Sequence, residues 1–250
     1  VPLIDNYIKT LKVNKLDLSV DFGWFYFLTK PLFYALNYLS VLFTNFGVGI
    51  IILTIFIRII LFPLANKSFK SMNSMRILTP EIQRIRERYK DDRNKMNQEM
   101  FALYREKKIN PAAGCLPILI QIPIFFALYK VLFVSIEMRH APFFGWIKDL
   151  SAPDPTSLFN LFGLIPWDPP MFLTIGIWPL LMGLTMYLQQ KINPPPPDPI
   201  QAKVFIMLPF IFTFLLATFP SGMVVYWTVN NILSIGQQYI LLKKQKKNIA

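Results

Sequence analysis

Five continuous apolar stretches constrain this chain more than any other feature of its sequence. They cover residues 46–65, 114–135, 171–190, 204–219 and 223–242. About 20 apolar residues, rising roughly 1.5 Å each, cross a hydrocarbon core of roughly 30 Å, so each stretch predicts a membrane-spanning helix. The composition agrees, because 54% of the residues are hydrophobic and only 16% are charged. We therefore predict an all-α polytopic membrane protein with five spans.

Basic residues are distributed unevenly among the segments that join these stretches. The segment 66–113 holds 12 Lys and Arg, the linker 191–203 holds two, and the tail after Leu242 holds four. The segments predicted for the opposite side hold six in total. Because cytoplasmic loops carry the excess of Lys and Arg, we place 66–113 and the tail 243–250 in the cytoplasm. Five spans then put the N-terminus outside.

Residues 1–45 precede the first span and include a candidate for a sixth. Residues 24–44 are largely apolar, but Lys30 and Pro31 interrupt them, and mostly polar residues follow one helical face. We predict an amphipathic helix that lies in the external interface. A spanning helix is the alternative, and it would move the N-terminus inside.

The first residues contain neither an initiator Met nor the apolar core of a signal peptide. We therefore expect a mature or truncated product, with an export signal or a domain missing upstream.

The basic segment 66–113 has a helical pattern of its own. Apolar residues recur at intervals of three and four over 75–89 and again over 96–103, with a charged turn between them. This spacing predicts two helices that pack as an antiparallel hairpin. Its outer faces carry basic side chains, which include Arg84, Arg86, Arg88 and Arg105. With Lys243 and Lys244 of the tail, they form a predicted platform for anionic lipid or a cytoplasmic partner. A solvated loop that only provides the charge asymmetry is the alternative.

The remaining segments are less informative. Residues 136–170 mix Pro, Trp and Phe with acidic residues, which is typical of a periplasmic loop on the external interface. Residues 191–203 contain five prolines and are predicted to form an extended cytoplasmic linker.

One arginine, Arg58, lies inside the first apolar stretch. An arginine at the centre of a span costs about 2.5 to 3.5 kcal/mol on insertion scales, so Arg58 requires polar or hydrated surroundings. Thr54 lies one turn earlier on the same helical face. Snorkelling is the alternative, but about seven residues, roughly 10 Å, separate Arg58 from the span end near Ala65. Lys130 lies closer to the outer end of its span, and for this residue we predict snorkelling.

The fifth apolar stretch carries a polar stripe along one helical face. Its members follow at spacings of four, three and four residues: Trp227, Asn231, Ser234 and Gln238. Gln189 and Gln190 end the third stretch. Such side chains also serve to tie membrane helices together. Together with the buried arginine, they favour a hydrophilic groove among the first, third and fifth spans.

The apolar stretches lack the residues that most membrane chemistry requires. They contain no Asp or Glu, and the chain has a single cysteine, Cys115, and a single histidine, His140. Proton-coupled carriers usually relay protons through intramembrane carboxylates or histidines. We therefore predict binding or passage of a substrate, with no catalytic residues, no metal and no cofactor. A small-solute transporter or channel is one alternative, and an intramembrane hydrolase that uses Ser221 or Cys115 is another.

Short motifs occur in a fixed order along the whole chain. They are Val20-Asp21-Phe22-Gly23-Trp24; Arg58 with Pro63-Leu64; Met75-Arg76, Pro80 and Gln98-Glu99-Met100; Asn110-Pro111 with Gly114-Cys115 and Pro117; Gln121-Ile122-Pro123-Ile124-Phe125; Arg139 with Ala141-Pro142-Phe143; Asp149-Leu150-Ser151; and Phe219-Pro220-Ser221-Gly222 with Tyr226. This ordered set resembles the YidC-type (YidC/Oxa/Alb) membrane protein insertases, and its first motif resembles their Gram-negative branch, which normally adds an N-terminal span and a large periplasmic domain. We expect this sequence to lack both, which favours truncation.

The resemblance implies five helices around a groove that is open to the cytoplasm and the lipid and closed outside. Arg58 would be its conserved charge and would line it together with Thr54. Trp227 and a glutamine of the third span, Gln189 or Gln190, would contribute. Some members have tyrosine at the position of Trp227.

The resemblance also implies an apolar slide on the second and fourth spans, along which a client helix enters lipid. Its residues would be Ile122, Phe125, Phe210, Phe212 and Phe214. The implied function is an insertase and chaperone of the bacterial inner membrane that acts alone or with the secretion channel. Its expected partners are client membrane proteins, ribosome-nascent chain complexes, the secretion channel and anionic lipids.

Overall fold

The computed structural model describes residue 10 and residues 23–110, 116–167, 169–170, 173–193 and 199–247. Several of the predicted features lie outside these residues: most of the segment before Gly23, the single cysteine Cys115, and the prolines of 194–198. Lys244 belongs to a described helix, but its side chain lies outside the described part of the structure.

Seven α-helices account for most of the described residues, and no strand occurs among them. They are α1 (Tyr26–Leu42), α2 (Phe46–Arg88), α3 (Arg93–Glu106), α4 (Leu116–Val134), α5 (Ile177–Ile192), α6 (Pro199–Leu216) and α7 (Ser221–Lys247). Two short 3-10 segments, Ile136–Met138 and Leu158–Gly163, lie in the long loop between α4 and α5. The predicted all-α class is confirmed.

Within the described residues, one helix is long and apolar enough to cross a membrane by itself. It is the part of α2 from Phe46 to Met75. Only 22% of its most apolar 18 residues are buried inside the protein. Shorter apolar helices cover Leu119–Val134 and Gln201–Leu216. The crossing of the bilayer by all five stretches therefore stays a prediction.

Helix α2 joins the first apolar stretch directly to the basic hairpin. It runs without a break over 43 residues, about 64 Å at 1.5 Å per residue. This differs from the short, separate hairpin helix expected from the spacing at 75–89. Pro63 and Pro80 lie inside α2, where each removes a backbone hydrogen bond and crowds the carbonyl four residues earlier, at a cost of about 3 kcal/mol. Ser68 and Phe69, five and six residues beyond Pro63, are buried, so tertiary packing supports the helix past this point.

Helix α7 lies at the centre of the bundle and packs against α2, α4 and α5. On one side, Met223 and Tyr226 join a buried cluster that includes Ile50 of α2 and Leu128 of α4. On the other side, Val224 packs with Met182 of α5 and Leu216 of α6. The first turns of α7 are therefore buried on both sides, while its later polar residues face neighbouring helices.

Helix α1 begins and ends near the same end of the bundle. Leu42 is followed by a tight turn that leads into α2, with Thr44 in the left-handed region at φ 51°. At its other end, Gly23 lies against the aliphatic part of the Lys130 side chain, near the end of α4. Phe33 and Leu36 of α1 are buried in the main core. This placement agrees with the predicted interfacial helix, which stays a prediction.

The hairpin formed by the end of α2 and by α3 has a small core of its own. Leu78, Ile82 and Leu103 are 5%, 2% and 9% exposed and pack together. All three belong to the apolar faces that the sequence pattern indicated. Asp92 caps α3, since its side chain accepts a hydrogen bond from the Lys95 backbone amide at 3.0 Å.

The hairpin core provides a first test of this packing. Replacing buried Ile82 by Ala should destabilise the hairpin by about 2 to 5 kcal/mol, because the substitution leaves a cavity between α2 and α3. Hydrogen exchange should show lost protection in α3 and in the end of α2, with α7 unchanged. Ile77→Ala is the matched control, since Ile77 is on the same helix and 69% exposed. Equal effects of the two substitutions would contradict the assigned core.

Candidate functional site

Arg58, midway along the apolar part of α2, binds a single residue of α7. Its Nε donates to Asn230 Oδ1 at 2.8 Å, and its NH2 group donates to the Asn230 carbonyl oxygen at 3.3 Å. Asn230 therefore meets the guanidinium with both its side chain and its backbone. The other N–H donors of Arg58 make no hydrogen bond to a described residue.

No carboxylate among the described residues pairs with Arg58. Its partner oxygens are neutral, so the side chain retains a full positive charge. Hydrogen bonds to neutral oxygens satisfy the geometry of a guanidinium but leave its charge uncompensated. An anionic group that reached Arg58 could form an ion pair with its guanidinium.

Ser234 and Thr54 take different positions around this pair. Ser234, one turn after Asn230, donates from its hydroxyl to the Asn230 carbonyl oxygen at 2.8 Å. The same carbonyl thus accepts from Arg58 and from Ser234. Thr54 is 2% exposed, and its hydroxyl donates to the Ile50 carbonyl oxygen of its own helix at 2.7 Å. Its side chain lies in an apolar recess with Leu36 and Tyr226.

Two further polar contacts connect α7 to α5 and fix their register. Asn231 Nδ2 donates to Thr185 Oγ1 at 3.2 Å, and both residues are buried. Gln238 Nε2 donates to Asn193 Oδ1 at 3.0 Å. Part of the predicted polar stripe therefore holds two helices together. Gln189 and Gln190 are half-buried in the last turn of α5.

A third contact connects α7 to α4. Gln121 Nε2 donates to the Tyr226 hydroxyl at 2.8 Å. Tyr226 is 3% exposed, so Gln121 satisfies a hydroxyl that packing has removed from solvent. The polar centre of the bundle thus draws residues from α2, α4 and α7.

Toward the hairpin end of α2 and α7, three buried polar atoms find no hydrogen-bond partner among the described residues. They are Asn66 Oδ1, Gln237 Nε2 and Gln238 Oε1. Asn66 and Gln238 each lie eight positions beyond Arg58 and Asn230, so they sit at about the same level along two parallel helices. Buried amide groups in proteins are almost always hydrogen-bonded. Asn66 Oδ1 and Gln238 Oε1 can therefore accept hydrogen bonds from water or a ligand, and Gln237 Nε2 can donate one.

An aromatic cluster borders the polar centre. The Trp227 ring lies 4.8 Å from the Phe125 ring of α4 and 5.7 Å from the Phe212 ring of α6, measured between centroids. Ile122, Phe210 and Phe214, in contrast, are 44%, 60% and 57% exposed. The five predicted slide residues thus divide into two that pack on Trp227 and three that leave an apolar surface on α4 and α6.

The predicted basic platform is mostly on the surface. Arg84, Arg88, Arg105 and Lys243 are exposed, whereas Arg86 is half-buried beside Tyr104. Burial raises the pKa of the Tyr104 hydroxyl, and the nearby Arg86 charge opposes part of that rise.

Asn230, Gln121, Tyr226 and Thr185 were not among the predicted site residues. A second polar stripe, Tyr226, Asn230, Ser234 and Gln237, runs beside the predicted one at spacings of four, four and three. Only Ser234 belongs to both stripes. Periodicity alone gave no means of choosing between them, because neighbouring stripes differ by about 100° of rotation around one helix.

These observations define a class: a helical membrane protein with an arginine whose described hydrogen-bond partners are neutral, and with several amides near it in an otherwise apolar bundle. The chain belongs to the 60Kd inner membrane protein family, which matches residues 38–248. Residues 3–35 also match the YidC periplasmic domain family.

Individual relatives agree with this assignment. The chain is 60% identical over 244 residues to the membrane protein insertase YidC of Pelagibacter ubique strain HTCC1062, covering 98% of this chain and 44% of the relative. It is 57% identical over 243 residues to YidC of Rickettsia rickettsii strain Sheila Smith, covering 97% and 43%. A crystal structure of an active YidC insertase with its first transmembrane domain resolved superposes with a TM-score of 0.62 at 27% identity, covering 93% of this chain and 52% of that one.

The chain therefore spans less than half the length of these curated relatives. Family membership and fold follow from the comparisons, whereas the activity of the whole protein belongs to the proposal below.

The Arg58–Asn230 pair can be tested by a double-mutant cycle. Arg58→Ala and Asn230→Ala should show a coupling of about 1 kcal/mol or more in unfolding free energy, because each substitution removes the hydrogen bond between Arg58 Nε and Asn230 Oδ1. Denaturant unfolding in mixed micelles measures it. The control cycle uses Asn231→Ala, whose contact is with Thr185, and should be additive with Arg58→Ala within about 0.5 kcal/mol. Coupling to Asn231 and not to Asn230 would refute the assigned pairing.

Proposed function

We propose that this chain is the insertion core of a membrane protein insertase of the bacterial inner membrane. The observation that carries the proposal is the state of Arg58, a charge inside the apolar part of α2 whose hydrogen-bond partners among the described residues are neutral. Relatives at 55–60% identity are named membrane protein insertase YidC, which supports the same function here.

In the proposed mechanism, Arg58 and the amides around it receive the polar or acidic external segment of a client. The cost of bringing such a segment into hydrocarbon comes from unsatisfied polar groups. A fixed positive charge lowers that cost for an anionic segment, and unpartnered amides such as Asn66 and Gln237 lower it for a backbone. The client's segment displaces Asn230 or binds the guanidinium donors that Asn230 leaves open.

The apolar part of the client takes a separate path. Ile122, Phe210 and Phe214 present an exposed apolar surface on α4 and α6. A client helix lies against this surface and then moves into lipid, driven by burial of its apolar area and not by nucleotide hydrolysis. The cluster of Trp227, Phe125 and Phe212 separates this surface from the polar centre.

The basic face of the hairpin provides a contact on the side where clients arrive. Four basic residues of the hairpin and tail are exposed: Arg84, Arg88, Arg105 and Lys243. Binding to ribosomal RNA, to an acidic face of the secretion channel or to anionic lipid headgroups requires such exposure. In the proposed orientation, the hairpin lies in the cytoplasm and the start of α2 lies at the outer face of the membrane. It rests on the excess of basic residues in the hairpin and tail.

A small-solute transporter or channel uses similar polar interiors. Neither the names of the relatives nor the described contacts favour it, and the apolar stretches contain no acidic residue for ion coupling. Insertion of client proteins is therefore the function that we propose.

The proposal predicts a specific response to charge at position 58. Arg58→Gln should lower insertion of a short client with an acidic external segment on the order of tenfold, equivalent to about 1.4 kcal/mol. Arg58→Lys should retain most of the activity, because the charge remains. Protease protection of the client in reconstituted vesicles measures insertion.

Two clients that differ only in the charge of their external segment distinguish direct attraction of the client by Arg58 from hydration of the site by Arg58. If Arg58 attracts the client directly, a client whose external acids are changed to amides should respond much less to Arg58→Gln. If Arg58 mainly keeps the site wet, both clients should respond equally. Full activity of Arg58→Ala with the acidic client would rule out both forms of the mechanism.

A further inference from the structure

The loop between α4 and α5 is bonded to the first turns of three helices. We call residues 143–157 the clamp loop. The Phe143 carbonyl oxygen accepts from the side-chain amide of Asn45, the N-cap of α2, at 3.3 Å. The Ala152 carbonyl oxygen accepts from the backbone amide and the hydroxyl of Ser221, which starts α7, at 2.8 and 2.7 Å. The remaining connection, to α5, is made by Asp154.

Asp154 is a buried carboxylate, 4% exposed, with four donors around it. Its Oδ1 accepts from Trp146 Nε1 at 3.1 Å and from the backbone amide and hydroxyl of Thr156 at 3.0 and 2.7 Å. Its Oδ2 accepts from the Trp178 backbone amide, in the first turn of α5, at 2.9 Å. The Thr156 hydroxyl in turn accepts from the Ile177 backbone amide at 3.0 Å. Asp154 and Thr156 thus cap α5 from a distant part of the chain.

The site is built for a charged carboxylate of this length. No basic side chain among the described residues pairs with Asp154, so its charge is balanced by these donors and by the positive end of the α5 dipole. Asparagine at position 154 would replace one carboxylate oxygen by an NH2 group, which donates hydrogen bonds. This group would face either the Trp178 backbone amide or the three donors that Oδ1 accepts from, and donor would meet donor. A Cβ at position 176 would collide with the Asp154 carboxylate. The carboxylate therefore fills the space beside Gly176, and a longer side chain at position 154 would not fit.

The three helices that the clamp loop joins carry two of the polar contacts described above: Arg58–Asn230 between α2 and α7, and Asn231–Thr185 between α7 and α5. Arg58 lies on α2, Thr185 on α5 and Asn230 on α7, and all three helices begin at the clamp loop. The side chain of Phe143 packs on Trp178 at 5.9 Å between ring centroids, and Ile147 and Leu150 are buried below it in the main core. The loop therefore covers the end of the bundle opposite the hairpin.

We propose that Asp154 is a positioning residue that holds the clamp loop across α2, α5 and α7 and so closes this end of the polar groove. Asp154 contacts no client and no residue of the polar centre. It acts by fixing the ends of the three helices, so that the groove opens only toward the hairpin and the lipid.

A reporter below the clamp loop tests this closure. Thr228 of α7 is 1% exposed and lies seven positions beyond Ser221, about 10 Å deeper by helical rise. In a Cys115→Ser background, Thr228→Cys supplies one thiol, whose reaction with a water-soluble maleimide is followed in detergent. Adding Asp154→Ala or Asp154→Asn should raise the labelling rate on the order of tenfold or more, through local opening of the loop.

A second reporter separates local opening from loss of the fold. Leu103→Cys places the thiol in the hairpin core, far from the clamp loop, and its labelling should stay unchanged in the Asp154 variants. Gly176→Ala should act like the Asp154 variants, because it displaces the carboxylate without removing any hydrogen-bonding group. Unchanged labelling at position 228, or an equal rise at both positions, would overturn the proposal.

Asp149→Asn is the control within the same loop. The Asp149 carboxylate accepts from the backbone amide and hydroxyl of Ser151 and faces His140, so its contacts stay inside the loop. Partial burial raises the pKa of Asp149, but the bonds from Ser151 and the neighbouring His140 outweigh it and lower that pKa. This variant should leave labelling at position 228 unchanged, which shows that loss of an acid in the loop is not sufficient.

The consequence for insertion rests on the proposed function, whereas the labelling result does not. Asp154→Asn should reduce client insertion in vesicles, and Asp149→Asn should not. If the parent protein inserts no client, the proposed function fails while the labelling test still decides the role of Asp154. If insertion works but labelling is unaffected by Asp154, the positioning role alone fails.

Discussion

The bond between Arg58 and Asn230 is the interaction on which the arrangement of this bundle depends. A guanidinium in an apolar helix has to find hydrogen-bond acceptors, because each unsatisfied polar group in hydrocarbon costs several kcal/mol. Asn230 offers its side chain and its carbonyl, so α7 lies beside α2 at one register. Neutral acceptors satisfy the donors without cancelling the charge. The bundle therefore contains a positive site that is ordered and still able to bind an anion.

The other polar contacts follow from the position of α7. Once Asn230 faces α2, Asn231 turns about 100° further around the helix and faces α5, where Thr185 accepts its bond. Tyr226, one turn earlier, lies toward α4 and receives Gln121. A single helix thus binds three neighbours through polar residues that lie within six positions of its sequence. Strong polar contacts of this kind order helices in a lipid solvent, where burial of apolar area does little to draw them together.

The two ends of the bundle are built differently. At the clamp loop, backbone carbonyls, Thr156 and Asp154 accept from backbone amides at the start of α5 and α7, and the Phe143 carbonyl accepts from the side chain of Asn45, the N-cap of α2. At the hairpin end, Asn66, Gln237 and Gln238 keep buried polar atoms without a described partner. Among the described residues, the unsatisfied buried polar atoms of α2 and α7 thus lie toward the hairpin end, away from the clamp loop. That asymmetry agrees with the proposed groove, which would open toward the hairpin.

The sequence by itself determined the helical class, the apolar character of the helices, the hairpin faces and the need of Arg58 for polar neighbours, because periodicity, apolar length and the cost of a buried charge are local properties. It also led to Ser234 and Trp227, which contact the Arg58 partner and the aromatic cluster. Only the tertiary structure decided that Asn230 rather than Asn231 meets Arg58, since adjacent residues differ by a rotation of the helix that periodicity does not define. It likewise decided that α2 continues into the hairpin, and that Asp154 caps α5 from a distant loop. Such contacts join residues far apart in the chain, and only packing brings them together.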